Sequence, residues 1–321
     1  MRGADPSLYE ALRSNLDQDY PHFEMLLGVS NPNDACIPIL ERIVREYPDK
    51  ARFFRTANPT PNAKVGVLAE LMRLATGDVI VIADGDIRVP PGYLRGVVAP
   101  LENEKTGLVT CAYRARAESW PGRFEALGVA TDFAPSTMVS PFVGIDEFAL
   151  GSTIVVRRRD LDRIGGIGAV ADYLADDYQL GKKIHSLGLA CVLSGVVVET
   201  HLAGASWRSV WDHQVRWART IRVSQRGGYA GLPVTHATTW AIIAAAAGLW
   251  WWAVTLMSIR FAMAFVAGWL TMRSPDVLRL WWLIPARDLL ATAVWAAGLV
   301  GSKVEWGGEW LRLTPDGRII R

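Results

Sequence analysis

Residues 237–259 carry no charged side chain, and nothing else in the sequence narrows the possible folds as much. About 20 apolar residues in a helix span the roughly 30 Å of bilayer hydrocarbon. Two more apolar stretches follow. Residues 261–272 are too short to cross and read as an interfacial or re-entrant piece, or the tilted half of a hairpin. Residues 278–300 are long enough but hold Arg287-Asp288 near their middle. Charge at membrane depth is costly and normally faces protein, water or a headgroup. Thirteen of the fourteen tryptophans fall at or after Trp207, and the amphipathic indole favours membrane interfaces. The pattern predicts a soluble domain over residues 1–235, membrane-associated helices over 236–301 and a short tail over 302–321.

The first two hundred residues alternate between two periodicities. Apolar runs of strand length occur at 23–29, 51–54, 79–83, 107–113, 152–156, 190–193 and 196–198. Between them lie helical patterns at 8–16, 37–47, 64–75, 122–140, 159–164 and 177–187. Strand and helix in that order predict an α/β domain with a mainly parallel sheet and crossover helices. A net charge of +2, with no basic stripe interleaved with aromatics in the first half, argues against a nucleic-acid partner. The three scattered cysteines (Cys36, Cys111, Cys191) have neither zinc spacing nor a disulfide framework, which suits a reducing cytosolic face.

Three motifs carry the chemistry. Asp84-Gly85-Asp86 follows the apolar run 79–83, which aims its carboxylates at the carboxyl end of the sheet, where α/β folds bind ligands. Asp84 and Asp86 there suit a hard cation, Mg2+ or Mn2+, carrying a diphosphate. Asp176-Asp177 opens a helix; acids favour helix N-termini on their own account, and a general base for an acceptor hydroxyl needs one such carboxylate. His213-Gln214-Val215-Arg216-Trp217 lies among Arg208, Arg219, Arg222 and Arg226, a segment that also reads as the basic flank of a membrane helix. The planar fork of Arg216 matches phosphate oxygens, while Trp217 can floor a sugar or simply pack. Lys64 at a helix start can reach a phosphate or remain solvated. His201, after the last strand, is either a further metal ligand or a structural histidine.

With these residues in view, the chain resembles the GT-A glycosyltransferases of the ceramide glucosyltransferase type. The bacterial branch fits best, and within it the hopanoid-biosynthesis glycosyltransferases. The likeness rests on the spacing of Asp84, Asp177 and Arg216-Trp217, on residues 171–178 and 213–220, on Pro285-Ala286-Arg287-Asp288 and on the tail around Trp306. It implies nucleotide-diphosphate and metal binding at Asp84, with Asp86, a catalytic base at Asp177, and donor or acceptor binding at Arg216 and Trp217. His213 stands where many relatives have Gln or Arg. Asn31 replaces the aspartate that contacts the nucleotide in the family, and can still hydrogen-bond uracil or ribose. Relatives carry a transmembrane helix and a first strand ahead of the matching region, so this sequence is expected to start inside a domain.

The expected protein is a metal-dependent inverting transferase. It moves glucose or N-acetylglucosamine from a UDP-sugar to a lipid hydroxyl, a hopanoid in the first instance and ceramide as the alternative. Its apolar segments lie in the inner membrane with the catalytic domain on the cytoplasmic side. A processive polysaccharide synthase, which shares the acidic motifs, and a non-catalytic membrane partner are the competing classes.

Overall fold

A computed structural model describes residue 3 and residues 7–320. The chain divides into two compact units, one formed by the residues up to Tyr113 with Ser140–His201, the other by Arg114–Val139 with Leu202–Ile320. The composition break near residue 235 falls inside the second unit.

The first unit is α/β. Strand β1 (Met25–Val29) pairs in parallel with β2 (Ala51–Arg55), Met25 opposite Ala51. The helix Ile37–Glu46 makes the crossover between them. The helix Leu8–Leu16 buries Leu8, Leu12 and Leu16, spaced every four residues and so on one stripe, with Leu27, Leu40 and Ile43. A four-stranded sheet follows, in the order β3 (Val79–Ile82), β5 (Ile154–Arg157), β4 (Thr106–Arg116), β6 (Ala190–His201). Strand β5 runs antiparallel to both β3 and β4, so those two share one direction with a reversed strand between them. The α/β class holds; the reversed strand is a feature the strand-helix alternation did not show. Residues 190–201 form one strand where two were expected.

Period-two alternation gives this sheet two buried faces. Ile80, Ile82, Ile154 and Val156 pack with Leu180, Ile184 and Val65 from the helices Asp176–His185 and Ala63–Leu74. Val109, Cys111 and Val155 pack on the other face with Tyr93, Leu94 and Val97. Each such side chain contributes about 1.5–3 kcal/mol of burial. Strand β3 is packed between two helix layers.

The second unit is mainly helical. Its apolar run does not form the single long helix expected over residues 237–259. The chain reverses at Gly248, whose φ of +78° lies in the left-handed region that glycine adopts without strain. The helix Ala237–Ala246 therefore ends early, and Trp250–Met263 runs on through the wider-turned Ala264–Thr271. Together Trp250–Thr271 make a 22-residue stretch of mean hydropathy 1.7, the one helix among the described residues long and apolar enough to cross a bilayer. Residues 261–272 are thus its second half rather than a separate piece. The last apolar stretch is broken into Pro275–Leu280, a tight turn Trp281–Leu283, and Ile284–Gly298. Trp250, Trp251 and Trp252 stand exposed just past the reversal, Trp251 at 85%.

Arg287 and Asp288 face protein and take separate partners. Asp288 Oδ1 lies 2.7 Å from Arg260 Nη2, and both side chains are under 6% exposed. Thr238 Oγ1 donates to Asp288 Oδ2 at 2.7 Å and Arg260 Nη1 donates to the Thr131 carbonyl at 2.9 Å. Arg287 Nη2 donates to Gln214 Oε1 at 2.8 Å. The expected tail is a three-stranded antiparallel sheet of β7 (Lys303–Trp306), β8 (Glu309–Leu313) and β9 (Ile319–Ile320). The basic flank holds it in place. Arg219 Nη1 donates to the Lys303 carbonyl at 2.6 Å, Arg222 Nη2 to that of Gly301 at 2.5 Å, and Arg226 Nη2 to that of Pro315 at 2.9 Å. These cations satisfy carbonyls at and beyond the end of the helix Ile284–Gly298, where backbone acceptors otherwise lack partners.

Candidate active site

The site is built where β3 ends. Strand β3 delivers Asp84, and the helix Asp176–His185 begins with Asp176 and Asp177 in its first turn. The helix Ala63–Leu74 supplies Lys64 and is N-capped by Asn62, whose Oδ1 accepts from Val65 N at 3.2 Å. The same Asn62 donates through Nδ2 to the Tyr173 carbonyl at 2.8 Å and to Asp176 Oδ1 at 3.3 Å. A cap residue thereby fixes the Lys64 helix against the Asp176 turn.

Lys64 Nζ lies 2.7 Å from Asp84 Oδ1 and 3.5 Å from Asp176 Oδ2. Asp177 Oδ2 accepts from Gly151 N at 2.8 Å and Oδ1 from Tyr178 N at 2.7 Å. Gly151 is where the charged groups meet. A Cβ added there would stand 3.2 Å from Asp84 Oδ2, 3.4 Å from Asp177 Oδ2 and 3.6 Å from Lys64 Nζ, so any side chain at 151 enters the site. Burial, with the neighbouring Asp176 carboxylate, pushes the Asp177 carboxyl up to about 6 against the opposing pull of Lys64. Burial disfavours the charge on Lys64, but the Asp176 and Asp84 carboxylates outweigh it, so its pKa is raised.

Gly181, one turn into the Asp176 helix, lets that helix lie on the backbone of Phe148 and Ala149. A Cβ at 181 would fall 2.5–2.7 Å from those backbone atoms. Gly181→Ala is expected to lower stability by about 1–3 kcal/mol, the range for overpacking. The check is a chemical-denaturation midpoint. A midpoint matching wild type would show that the two backbones part without cost.

Of the residues expected at the site, Lys64, Asp84 and Asp177 come together, joined by Asp176. Asp86 is turned to another partner, its Oδ2 accepting from Thr200 Oγ1 of β6 at 2.5 Å. His201, next along β6, has a buried Nδ1 without a hydrogen-bond partner. Asn31 lies exposed in the turn after β1, its Oδ1 accepting from Asn33 N at 3.0 Å.

His213, Arg216 and Trp217 belong to the second unit, on the helix Trp207–Ser224, whose start is fixed by a reciprocal Ser206–Ser209 cap. His213 Nδ1 lies 2.6 Å from Glu125 Oε1, which also accepts from Gln214 Nε2 at 2.9 Å. The His213 and Trp217 rings, one helical turn apart, meet edge to face at 4.5 Å, with Phe133 beyond at 5.4 Å. Sequence reasoning missed Glu125, Asn62 and Gly151. Asn62 carries a readable N-cap signal; the others are defined by residues distant in sequence.

No group of three or more His, Cys, Asp or Glu among the described residues is arranged to hold a metal. Asp84 presents a carboxylate whose side chain is 43% exposed, and Asp176 Oδ2 is buried with no hydrogen-bond partner. Oxygen donors of this kind fit a cation that keeps few protein ligands and takes the rest from substrate phosphates.

The pattern of Glycosyl transferase family 21 matches residues 1–319. Ceramide glucosyltransferase 1 of Caenorhabditis elegans is 25% identical over 221 residues, 68% of this chain and 47% of that protein. Beta-monoglucosyldiacylglycerol synthase of Trichormus variabilis is 26% identical over 219 residues, 67% of this chain and 44% of that protein. The chain thus spans about half the length of these curated relatives. Among solved structures, a mannosyltransferase from Pyrobaculum calidifontis in complex with GDP-Man and Mn2+ superposes with a TM-score of 0.53 at 21% identity, covering 91% of this chain and 84% of its own. That likeness establishes the GT-A fold.

Proposed function

The chain belongs to glycosyl transferase family 21, and on that premise we propose that it moves a hexose from UDP-sugar to a lipid hydroxyl, inverting the anomeric carbon. The observation that supports this reading is the cluster of Lys64, Asp84, Asp176 and Asp177 around Gly151 at the end of β3. Asp177, held by the Gly151 and Tyr178 amides, takes the proton of the acceptor hydroxyl. The oxygen attacks the anomeric carbon as the bond to the diphosphate breaks, and UDP departs with that electron pair. Lys64 offers its ammonium to the diphosphate. A divalent cation, when bound, would neutralise the leaving diphosphate, with Asp84 its carboxylate, joined by Asp86 only if that side chain turned from Thr200.

Glucose as the sugar, and ceramide or diacylglycerol as the acceptor, follow the relatives' names. N-acetylglucosamine on a hopanoid polyol is the finer reading that the sequence resemblance implies. Arg216, Trp217 and His213 serve donor or acceptor in this reading. In this reading the protein lies in the inner membrane with its α/β unit on the cytoplasmic side; the exposed Trp250–Trp252 and the apolar helix Trp250–Thr271 support a membrane-associated second unit.

The test is transfer from labelled UDP-glucose and UDP-N-acetylglucosamine, with Mn2+, to ceramide, diacylglycerol and a hopanoid polyol. A product carrying one sugar on one of these lipids is expected. Polymer would point to a polysaccharide synthase. A folded sample that neither binds UDP nor transfers would overturn the assignment.

A further inference from the structure

Lys64 is a cation already set among the carboxylates of the site. Its Nζ is 2.7 Å from Asp84 Oδ1 and 3.5 Å from Asp176 Oδ2. The Asp176 side chain is 8% exposed; among the described residues its Oδ2 has no hydrogen bond, and it lies 3.5 Å from that ammonium. We propose that Lys64 is a resident counter-cation that keeps a bare divalent ion off Asp84, so that metal enters only together with a nucleoside diphosphate. The inference rests on the reading of Asp84 as the metal-holding carboxylate.

The physical argument is competition for one carboxylate. A divalent ion binds carboxylate oxygen at about 2.0–2.6 Å. An ion that close to Asp84 stands within a few ångströms of an ammonium already bound to the same group. Even near the protein surface, with the Lys64 and Asp84 side chains 24% and 43% exposed, like charges at such range repel several-fold more strongly than in bulk solvent. A diphosphate changes the balance twice over. Its oxygens complete the metal's ligand set, and they give the flexible, strongly hydrated ammonium a new partner, so that Lys64 can leave Asp84. Metal and nucleotide then each raise the affinity for the other by the same factor, as linkage requires. The device would also deny an ion that arrives without a donor.

Mn2+ binding to the full chain is measured by the electron-spin resonance of free Mn2+, with and without UDP, in wild type, Lys64→Gln and Lys64→Arg. Wild type is expected to bind Mn2+ at least tenfold more tightly with UDP than without it. Lys64→Gln is expected to bind Mn2+ alone at least tenfold more tightly than wild type, and Lys64→Arg to stay within threefold of wild type. If Lys64→Gln is too unstable to purify, wild type alone still decides: equal Mn2+ affinity with and without UDP overturns the proposal. So does a folded Lys64→Gln that gains no affinity for Mn2+ alone. In that last case Mn2+–UDP binding by wild type leaves the assignment of the donor site standing. No Mn2+ binding by any of the proteins, with or without UDP, removes the metal reading of Asp84 and the proposal together.

Discussion

Asp177→Asn is expected to lower the rate of sugar transfer by about 10²–10⁴-fold, the usual contribution of a positioned general base. The substitution keeps the shape of the side chain and an oxygen that can accept from the Gly151 amide, now 2.8 Å from Asp177 Oδ2, at the cost of the Tyr178 amide contact to Oδ1. What it removes is the site that takes the acceptor's proton. Binding of UDP with Mn2+ should therefore change little while kcat falls, and comparing kcat with the UDP affinity is the check. The neighbouring Asp176→Asn makes the contrast. It leaves the base and weakens the 3.5 Å contact to Lys64, so its loss should fall on donor binding more than on kcat. If Asp177→Asn kept full transfer to lipid, the base would have to be another group.

The second large effect is on stability. Asp288→Ala is expected to destabilise the second unit by about 3–5 kcal/mol, because removing one member of a buried pair strands the other. Arg260, with a side chain 3% exposed, would keep only its contacts to Thr131. Thr238 would lose its acceptor as well. The double variant Arg260→Met with Asp288→Leu should recover most of the loss, since apolar replacement of a whole buried pair is often close to neutral. Denaturation midpoints of the three proteins in one detergent decide it. A single variant within about 1 kcal/mol of wild type would mean that the pair is open to water.

How much of this was legible in the sequence depends on the range of the interaction. The helix Leu8–Leu16 follows from its own periodicity and was read to the residue. Asp84 and Asp177 were legible because each abuts an element whose pattern is local. The direction of β5 was not, since a strand's side-chain alternation is the same whichever way it runs. Glu125 was invisible for a related reason: it reaches His213 across 88 residues of sequence. The apolar run 237–259 failed differently. Absence of charge measures compatibility with lipid but says nothing of chain direction, and Gly248 turns the chain within a run that stays apolar on both sides. Asp86 shows the limit of a motif. Two residues from Asp84 on one turn, it is nevertheless drawn to Thr200.

The arginine contacts to the C-terminal strands have a consequence for sidedness. Arg219 and Arg226 lie before the apolar helices, while Lys303 and Pro315, whose carbonyls they bind, lie after them. Groups joined by hydrogen bonds occupy one side of any bilayer, so the chain between them passes through an even number of times. On the proposed membrane reading, a lone crossing by Trp250–Thr271 does not fit these contacts. On that reading, either Pro275–Leu280 and Ile284–Gly298 would carry the chain back, or the whole segment would dip and return. Parity would then be set by two guanidinium groups, those of Arg219 and Arg226.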